Sequence, residues 1–251
     1  MKTWLKQLAG GVSLVCAVWG VEAAEVHVAV AANFAVPMQK ITQTFEQDTG
    51  HHVHVVVGST GGFYAQIKNA APYEVLLAAD DETPAKIEQD GLAVKGSRFT
   101  YANGRLVLWS KNPGLVDDKA QVLLHERFDR LAIANPKLAP YGLAAAEMLN
   151  KVGLWKSVQP KLVMGESIGQ TYQFVATENV PLGFVALSQV WADGKLTQGS
   201  AWIVPAHMHN PIKQDAVLLL KGQDNEAARA LLNYLQGDKA KAIIRSYGYE
   251  L

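Results

Sequence analysis

The chain has 251 residues, with 23 basic against 23 acidic side chains, 49% apolar and 18% charged. That length and apolar content suffice for one large domain or two smaller lobes around a sizeable core. The even charge excludes the clustered basic excess of a nucleic-acid binder, and a lone cysteine, Cys16, excludes a disulfide framework.

The chain opens with Lys2 and Lys6, an apolar stretch from Leu8 to Val21, and small residues at Val21 and Ala23. Basic, apolar, small is the order of a secretory signal, and this apolar run is too short to span a bilayer comfortably. Residues 1–23 are predicted to be a signal peptide cleaved near Ala23, leaving a periplasmic protein. Cys16 falls in the discarded part and lacks the Leu-small-small context of a lipidated cysteine. Removing Lys2, Lys6 and Glu22 takes the balance from 23 against 23 to 21 basic against 22 acidic residues. The mature chain has no thiol for a nucleophile or a metal–thiolate site. No later apolar run reaches membrane-spanning length.

From Glu25 onward strands and helices alternate. Glu25–Ala31 begins with alternation and turns almost wholly apolar, as a buried parallel strand does. A helix follows with Phe34, Met38, Ile41 and Phe45 on one face, Pro37 in its first turn and Gly50 closing it. His52–Val57 reads as a strand, Gly58–Gly62 as a tight turn and Phe63–Ala70 as a helix. Glu74–Ala79 is a third strand, ending at Asp80 and Asp81 before a short helix over Thr83–Asp90. Beyond Gly91 the pattern loosens. Strands are predicted over Arg105–Trp109, Leu131–Ala134, Lys161–Met164, Leu182–Leu187, Trp202–Val204 and Ala216–Leu220. Helices fall after Pro140 and Ser167, and two more, Asn225–Leu235 and Asp238–Ser246, close the chain.

This alternation predicts an α/β fold with parallel or mixed sheets covered by helices. The loosest stretches, Tyr101–Gly104 and Pro205–Pro211, sit where two crossings between lobes belong. The expected division is residues 24–102 plus 207–251 as one lobe and 103–206 as the other.

Chemistry in such folds gathers at the carboxyl ends of the strands. Four corners there are rich in small residues, hydroxyls or an amide: Ala31–Phe34, Gly58–Gly62, Ala139–Gly142 and Glu166–Gly169. Each precedes a helix, whose first N–H groups are unpaired and carry about half a positive charge. Any one corner reads as an ordinary cap. Four converging on one cleft would hold an anion without a Lys or Arg. Other constellations are weaker. A zinc site from His52, His54, His207 and His209 competes with solvent-facing histidines. A cation site at Asp80 and Asp81 competes with a helix cap. Ser59 does not complete the Gly-x-Ser-x-Gly pattern of a hydrolase.

These corners carry a family likeness along essentially the whole mature chain. Its pieces are Ala31–Phe34, Gly58–Gly61, Gln66 and Ile67 with Ala71–Val75, Ala78–Asp80, Gly96–Tyr101 with Leu106–Ser110, Asn135 and Pro136 with Ala139–Leu143, Leu182–Leu187, and Ile243 and Ile244 with Tyr247–Tyr249. In this order and spacing the chain resembles the periplasmic molybdate-binding proteins of ABC uptake systems, within the type II periplasmic binding proteins. The resemblance implies a two-lobed periplasmic-binding-protein fold, each lobe a mixed β-sheet flanked by helices, with the oxyanion enclosed between the lobes. It implies Asn33 and Thr60 as side-chain and backbone donors from the first lobe. Tyr141 and Ile168 would supply backbone N–H groups from the second, with Ala32 and Ala79 on the same wall. Two positions depart from the pattern: Ala32 replaces a hydroxyl found in some members, and Ala186 replaces a tyrosine found in others. The second-lobe donors are accordingly expected to be mainly backbone.

The resemblance further implies a monomer that captures molybdate, and tungstate with it, and delivers it to a membrane permease. It implies no catalysis, no cofactor, no free metal cation and no nucleic acid. Rival readings are the same architecture for sulfate or a chelated metal, a zinc scavenger, and an exported hydrolase acting through Ser59.

Overall fold

The computed structural model describes residues 23–125 and 127–251. Residues 1–22 of the predicted export segment, Cys16 included, lie outside the described residues. The chain runs β1 (Glu25–Ala31), α1 (Ala35–Thr49), β2 (His52–Gly58), α2 (Thr60–Lys68), β3 (Val75–Leu77), α3 (Glu82–Gln89) and β4 (Phe99–Gly104). It continues through β5 (Leu106–Ser110), α4 (Gln121–Leu124), β6 (Leu131–Ala134), α5 (Pro140–Lys151), α6 (Trp155–Val158), β7 (Leu162–Gly165), α7 (Ile168–Ala176), β8 (Gly183–Ala186) and α8 (Leu187–Val190). A short hairpin, β9 (Trp191–Ala192) and β10 (Lys195–Leu196), leads to β11 (Ser200–Ile203), β12 (Ile212–Leu218), α9 (Glu226–Leu235) and α10 (Asp238–Ser246).

Two five-stranded mixed sheets result, ordered β2-β1-β3-β12-β4 and β11-β5-β8-β6-β7. In the first, β1 runs parallel to β2 and β3 while β12 is antiparallel to β3 and β4. In the second, β6 is parallel to β7 and β8, and β5 is antiparallel to β8 and β11. The chain passes between the lobes twice, from β4 into β5 and from β11 into β12.

Burial on both faces explains the apolar strands. Val26, Val28 and Val30 of β1 pack with Phe34, Met38, Ile41 and Phe45 of the α1 region, while Ala29 on the opposite face packs with Phe63, Ile67 and Leu76. The second sheet repeats this, with Leu106 and Leu108 in one cluster and Val107 and Trp109 in another. Gly50 ends α1 at φ 77°, where its N–H bonds the Glu46 carbonyl at 2.9 Å, a left-handed cap that glycine adopts without a Cβ penalty.

Three expectations need correction. The Gly58–Gly62 turn is largely the first turn of α2, which starts at Thr60 instead of Phe63. Tyr101–Gly104 is not a loose crossing but part of β4, an edge strand paired with β12. The last strand covers Ile212–Leu218, not Ala216–Leu220. In the last two cases polar residues hide a strand. Gln214 and Asp215 are both buried, and their partners come from far along the chain: Asp215 accepts from Thr100 Oγ1 at 2.7 Å and pairs with Arg98.

Candidate functional site

All four predicted corners end at one place. Ala31, Ala32 and Asn33, Gly58, Ser59 and Thr60, Ala79, Ala139, Pro140 and Tyr141, and Ile168 line a single small cleft between the sheets. The six residues singled out from sequence, Ala32, Asn33, Thr60, Ala79, Tyr141 and Ile168, are all in that lining. No lining residue carries a charge.

The donors are oriented by their helices. Three of the entering corners lack a side-chain cap: none forms at Ser59, at Ala139 or at Ala31, ahead of the short 3-10 turn Ala32–Phe34. The first N–H groups of those turns are left without helical acceptors. At α7, Ser167 Oγ accepts from Gln170 N at 3.2 Å, which leaves the Ile168 N–H outside the cap. Gln189 holds that corner in place, accepting from Ala186 N at 3.0 Å and donating to the Ile168 carbonyl at 3.1 Å. Pro140 starts α5 and has no N–H, so Tyr141 offers the first amide of that helix.

Thr60 is buried, and its Oγ1 accepts the Ala79 N–H at 2.9 Å. A hydroxyl that accepts in this way still has its proton to give. Ala79 therefore contributes its methyl group to the wall, its N–H being engaged. Asn33 is arranged differently from the expectation of a free side-chain donor. Its Nδ2 donates to Gln214 Oε1 at 2.8 Å and Tyr249 Oη at 2.9 Å, and its Oδ1 is buried without a partner.

Behind Asn33 lies a buried polar network that sequence reading missed. Gln214 Nε2 donates to Tyr141 Oη at 3.0 Å, Tyr101 Oη donates to the Ala78 carbonyl at 2.9 Å, and Ser188 Oγ donates to the Asn33 carbonyl at 2.8 Å. Burial pushes the Tyr101 and Tyr141 phenols well above their ordinary range and Tyr249 to about 12. All three stay protonated and neutral, so no phenolate faces an anion. The only sequence signal for the network was a pair of polar residues leading into an apolar strand.

The lobes also touch directly. Gly61 N donates to the Leu138 carbonyl at 2.9 Å. A Cβ on Gly169 would lie 3.1 Å from the Ala32 methyl.

The rival constellations are not brought together as metal centres. His54 pairs with Glu25, and His52 lies 3.8 Å from Glu46. His207 and His209 line a different surface pocket with Glu147 and Lys151. Among the described residues no group of three or more His, Cys, Asp or Glu side chains is arranged to hold a metal ion. Asp80 caps α3, accepting from Thr83 N at 2.8 Å and Thr83 Oγ1 at 3.1 Å. Desolvation by burial raises its pKa to about 6.

Comparison with known proteins gives a consistent result. The chain is 60% identical over 230 residues to the molybdate-binding protein ModA of Azotobacter vinelandii, covering 92% of this chain and 91% of that protein. It is 52% identical over 227 residues to ModA of Rhodobacter capsulatus, covering 90% and 88%. Among solved structures, a periplasmic molybdate-binding protein of Azotobacter vinelandii superposes with a TM-score of 0.87 at 41% identity, covering 90% of this chain and 99% of the other. The family model described as bacterial extracellular solute-binding protein matches residues 26–250. With two mixed sheets, a cleft between them and these relatives, the chain belongs to the bacterial extracellular solute-binding protein family.

Proposed function

We propose that this protein captures molybdate between its two lobes in the periplasm and hands it to an ABC permease, with tungstate as an alternative cargo. One observation carries the reading: a cleft walled by helix N-termini, hydroxyl and small side chains, with no charged residue in its lining. Helix N-termini bind oxyanions through amide dipoles. Close relatives named as molybdate-binding proteins support the choice of oxyanion.

In this reading Thr60 Oγ1–H and N–H groups of the first lobe meet the Tyr141 and Ile168 N–H groups of the second, with Ala32 and Ala79 forming the apolar wall. Each hydrogen bond to a charged group contributes roughly 1.5–3 kcal/mol. Five to seven of them give on the order of 10 kcal/mol, and sub-micromolar binding needs about 8 kcal/mol. Ion pairing is unnecessary.

The protein as proposed performs no chemistry and acts as a monomer. Residues 1–23 form its export signal, and the lobes divide close to residues 102 and 207, with β4 kept whole to Gly104 on the first lobe. Enclosing the guest requires donors from both lobes, so lobe closure is the state the permease reads.

Selectivity follows from protonation and size. A fully deprotonated tetrahedral dianion presents only acceptors, whereas phosphate near neutral pH retains a proton that a donor-only cleft leaves unpaired. Isothermal titration with molybdate, tungstate, sulfate and phosphate tests the reading. Sub-micromolar molybdate with weak phosphate is expected. Sulfate binding as tightly as molybdate would remove the size argument, and no molybdate binding would overturn the assignment.

A further inference from the structure

The bonding of the cleft wall fails to close at one amide. Asn33 Oδ1 is buried and has no partner, while both Nδ2 protons go to Gln214 and Tyr249, neither of which lines the cleft. A buried acceptor without a donor costs its full desolvation. Turned toward a guest that is itself all acceptor, it would repel. We infer that Gln214 is a positioning residue, and that a paired rotation of the Asn33 and Gln214 amides presents Asn33 Nδ2 to the oxyanion. This rests on the oxyanion reading above.

The hydrogen-bond count supports the pair and not either residue alone. Rotating only Asn33 would set its Oδ1 against Gln214 Oε1, two acceptors at the 2.8 Å contact. Rotating both makes Gln214 Nε2 the donor to Asn33 Oδ1 and leaves Gln214 Oε1 to accept from Tyr141 Oη. Tyr249 Oη, now 2.9 Å from an oxygen, turns its proton to it from the Asn33 carbonyl, which keeps the Ser188 hydroxyl as donor. Tyr101 Oη keeps its bond to the Ala78 carbonyl and accepts from Gln214 Nε2 across a contact of 3.1 Å. Ser188 Oγ keeps its bond to the Asn33 carbonyl. Every hydroxyl proton has an acceptor, and the two Nδ2 protons face the cleft, where an oxyanion takes them. The guest thus selects the rotated pair.

The backbone supplies a second, independent observation. The register of β12 on β4 breaks between Gln214 and Asp215: Gln214 pairs with Ala102 and Asp215 with Thr100, so Tyr101 is skipped. Such bulges re-aim side chains beside functional sites. Gln214 and Asp215 are adjacent yet both buried, in separate networks. Gln214 also joins the lobes, through Asn33 and Tyr101 on one side and Tyr141 on the other.

The test is a double-mutant cycle read by molybdate titration at pH 8. Gln214→Glu removes the Nε2 donor, and its carboxylate form, acceptor-only, holds Asn33 Nδ2 on its own side and Oδ1 toward the guest. Affinity is expected to fall about 30-fold, the equivalent of one charge-assisted hydrogen bond. In an Asn33→Ala background the same change should cost no more than about twofold, because the residue it acts through is gone. An equal loss in both backgrounds means plain charge repulsion and overturns the inference; so does no loss in either. Should the Glu variant not fold, ¹⁵N side-chain amide spectra of the wild type decide: the Asn33 and Gln214 NH₂ resonances must both move at saturating molybdate, and fixed resonances overturn the paired rotation. Absence of molybdate binding by the wild type would instead sink the oxyanion reading, and this inference with it.

Discussion

Gly61 of the first lobe donates its N–H to the Leu138 carbonyl of the second, 2.9 Å across the cleft. The two backbones meet this closely because position 61 has no side chain. A Cβ there would stand 3.0 Å from Leu138 Cα and 3.1 Å from its oxygen.

Gly61→Ala should therefore separate binding from stability. Alanine favours the helical conformation over glycine by roughly 1 kcal/mol, so the melting temperature should hold or rise. Closing against the new methyl should cost about 1 kcal/mol of oxyanion affinity. Titration calorimetry beside a ligand-free thermal melt checks both halves, and unchanged affinity would show that the contact does not limit closure.

Thr60 has two tasks, holding the Ala79 N–H and offering its own proton. Thr60→Val removes both and should weaken oxyanion binding by about 1–3 kcal/mol while lowering stability by a similar amount. Thr60→Ser retains the hydroxyl and should stay within a few tenths of a kcal/mol in affinity. If serine were as damaging as valine, the hydroxyl would not be the relevant group.

Gly104 lies against the buried network. A Cβ at this position would sit 2.1 Å from Tyr141 Oη and 2.5 Å from Gln214 Nε2. Gly104→Ala must displace one of them, at a cost of about 1–3 kcal/mol from overpacking. Urea unfolding should show the loss, and oxyanion affinity should fall with it because Tyr141 belongs to the cleft wall.

Asp80 makes stability depend on pH. Its pKa is raised by burial from 3.8 to about 6, so the folded protein holds this proton more tightly than the unfolded chain. The resulting stabilisation is complete below about pH 4 and is lost as pH rises through about 6. Asp80→Asn stays neutral throughout. Relative to wild type it should gain roughly 2 kcal/mol between pH 4 and pH 7. Urea midpoints at pH 4.5, 6 and 8 measure this, and a pH-independent difference between the two proteins would contradict it.

Much of the fold was readable because the relevant physics is local. Apolar runs of β1 and β6, the Met38–Ile41–Phe45 face of α1, Gly50 as a cap and Pro140 at a helix start each follow from residues within a turn or two. The four corners were readable for the same reason, since a helix start is announced by its own small and hydroxylated residues. Where the reading failed, at β4 and the beginning of β12, the failure came from Gln214 and Asp215, whose polarity argues against a buried strand until their partners are known.

Those partners lie far off in sequence. Gln214 meets Asn33 across 181 positions and Tyr249 meets Asn33 across 216, and no window along the chain relates them. Local pattern established that strands end in helix-opening corners of uncharged donors. Which corners share a cleft, how Gly61 closes on Leu138, and which end of the Asn33 amide is held by Gln214 depend on two sheets being brought together, because hydrogen bonds between distant residues exist only once the intervening chain has folded around them.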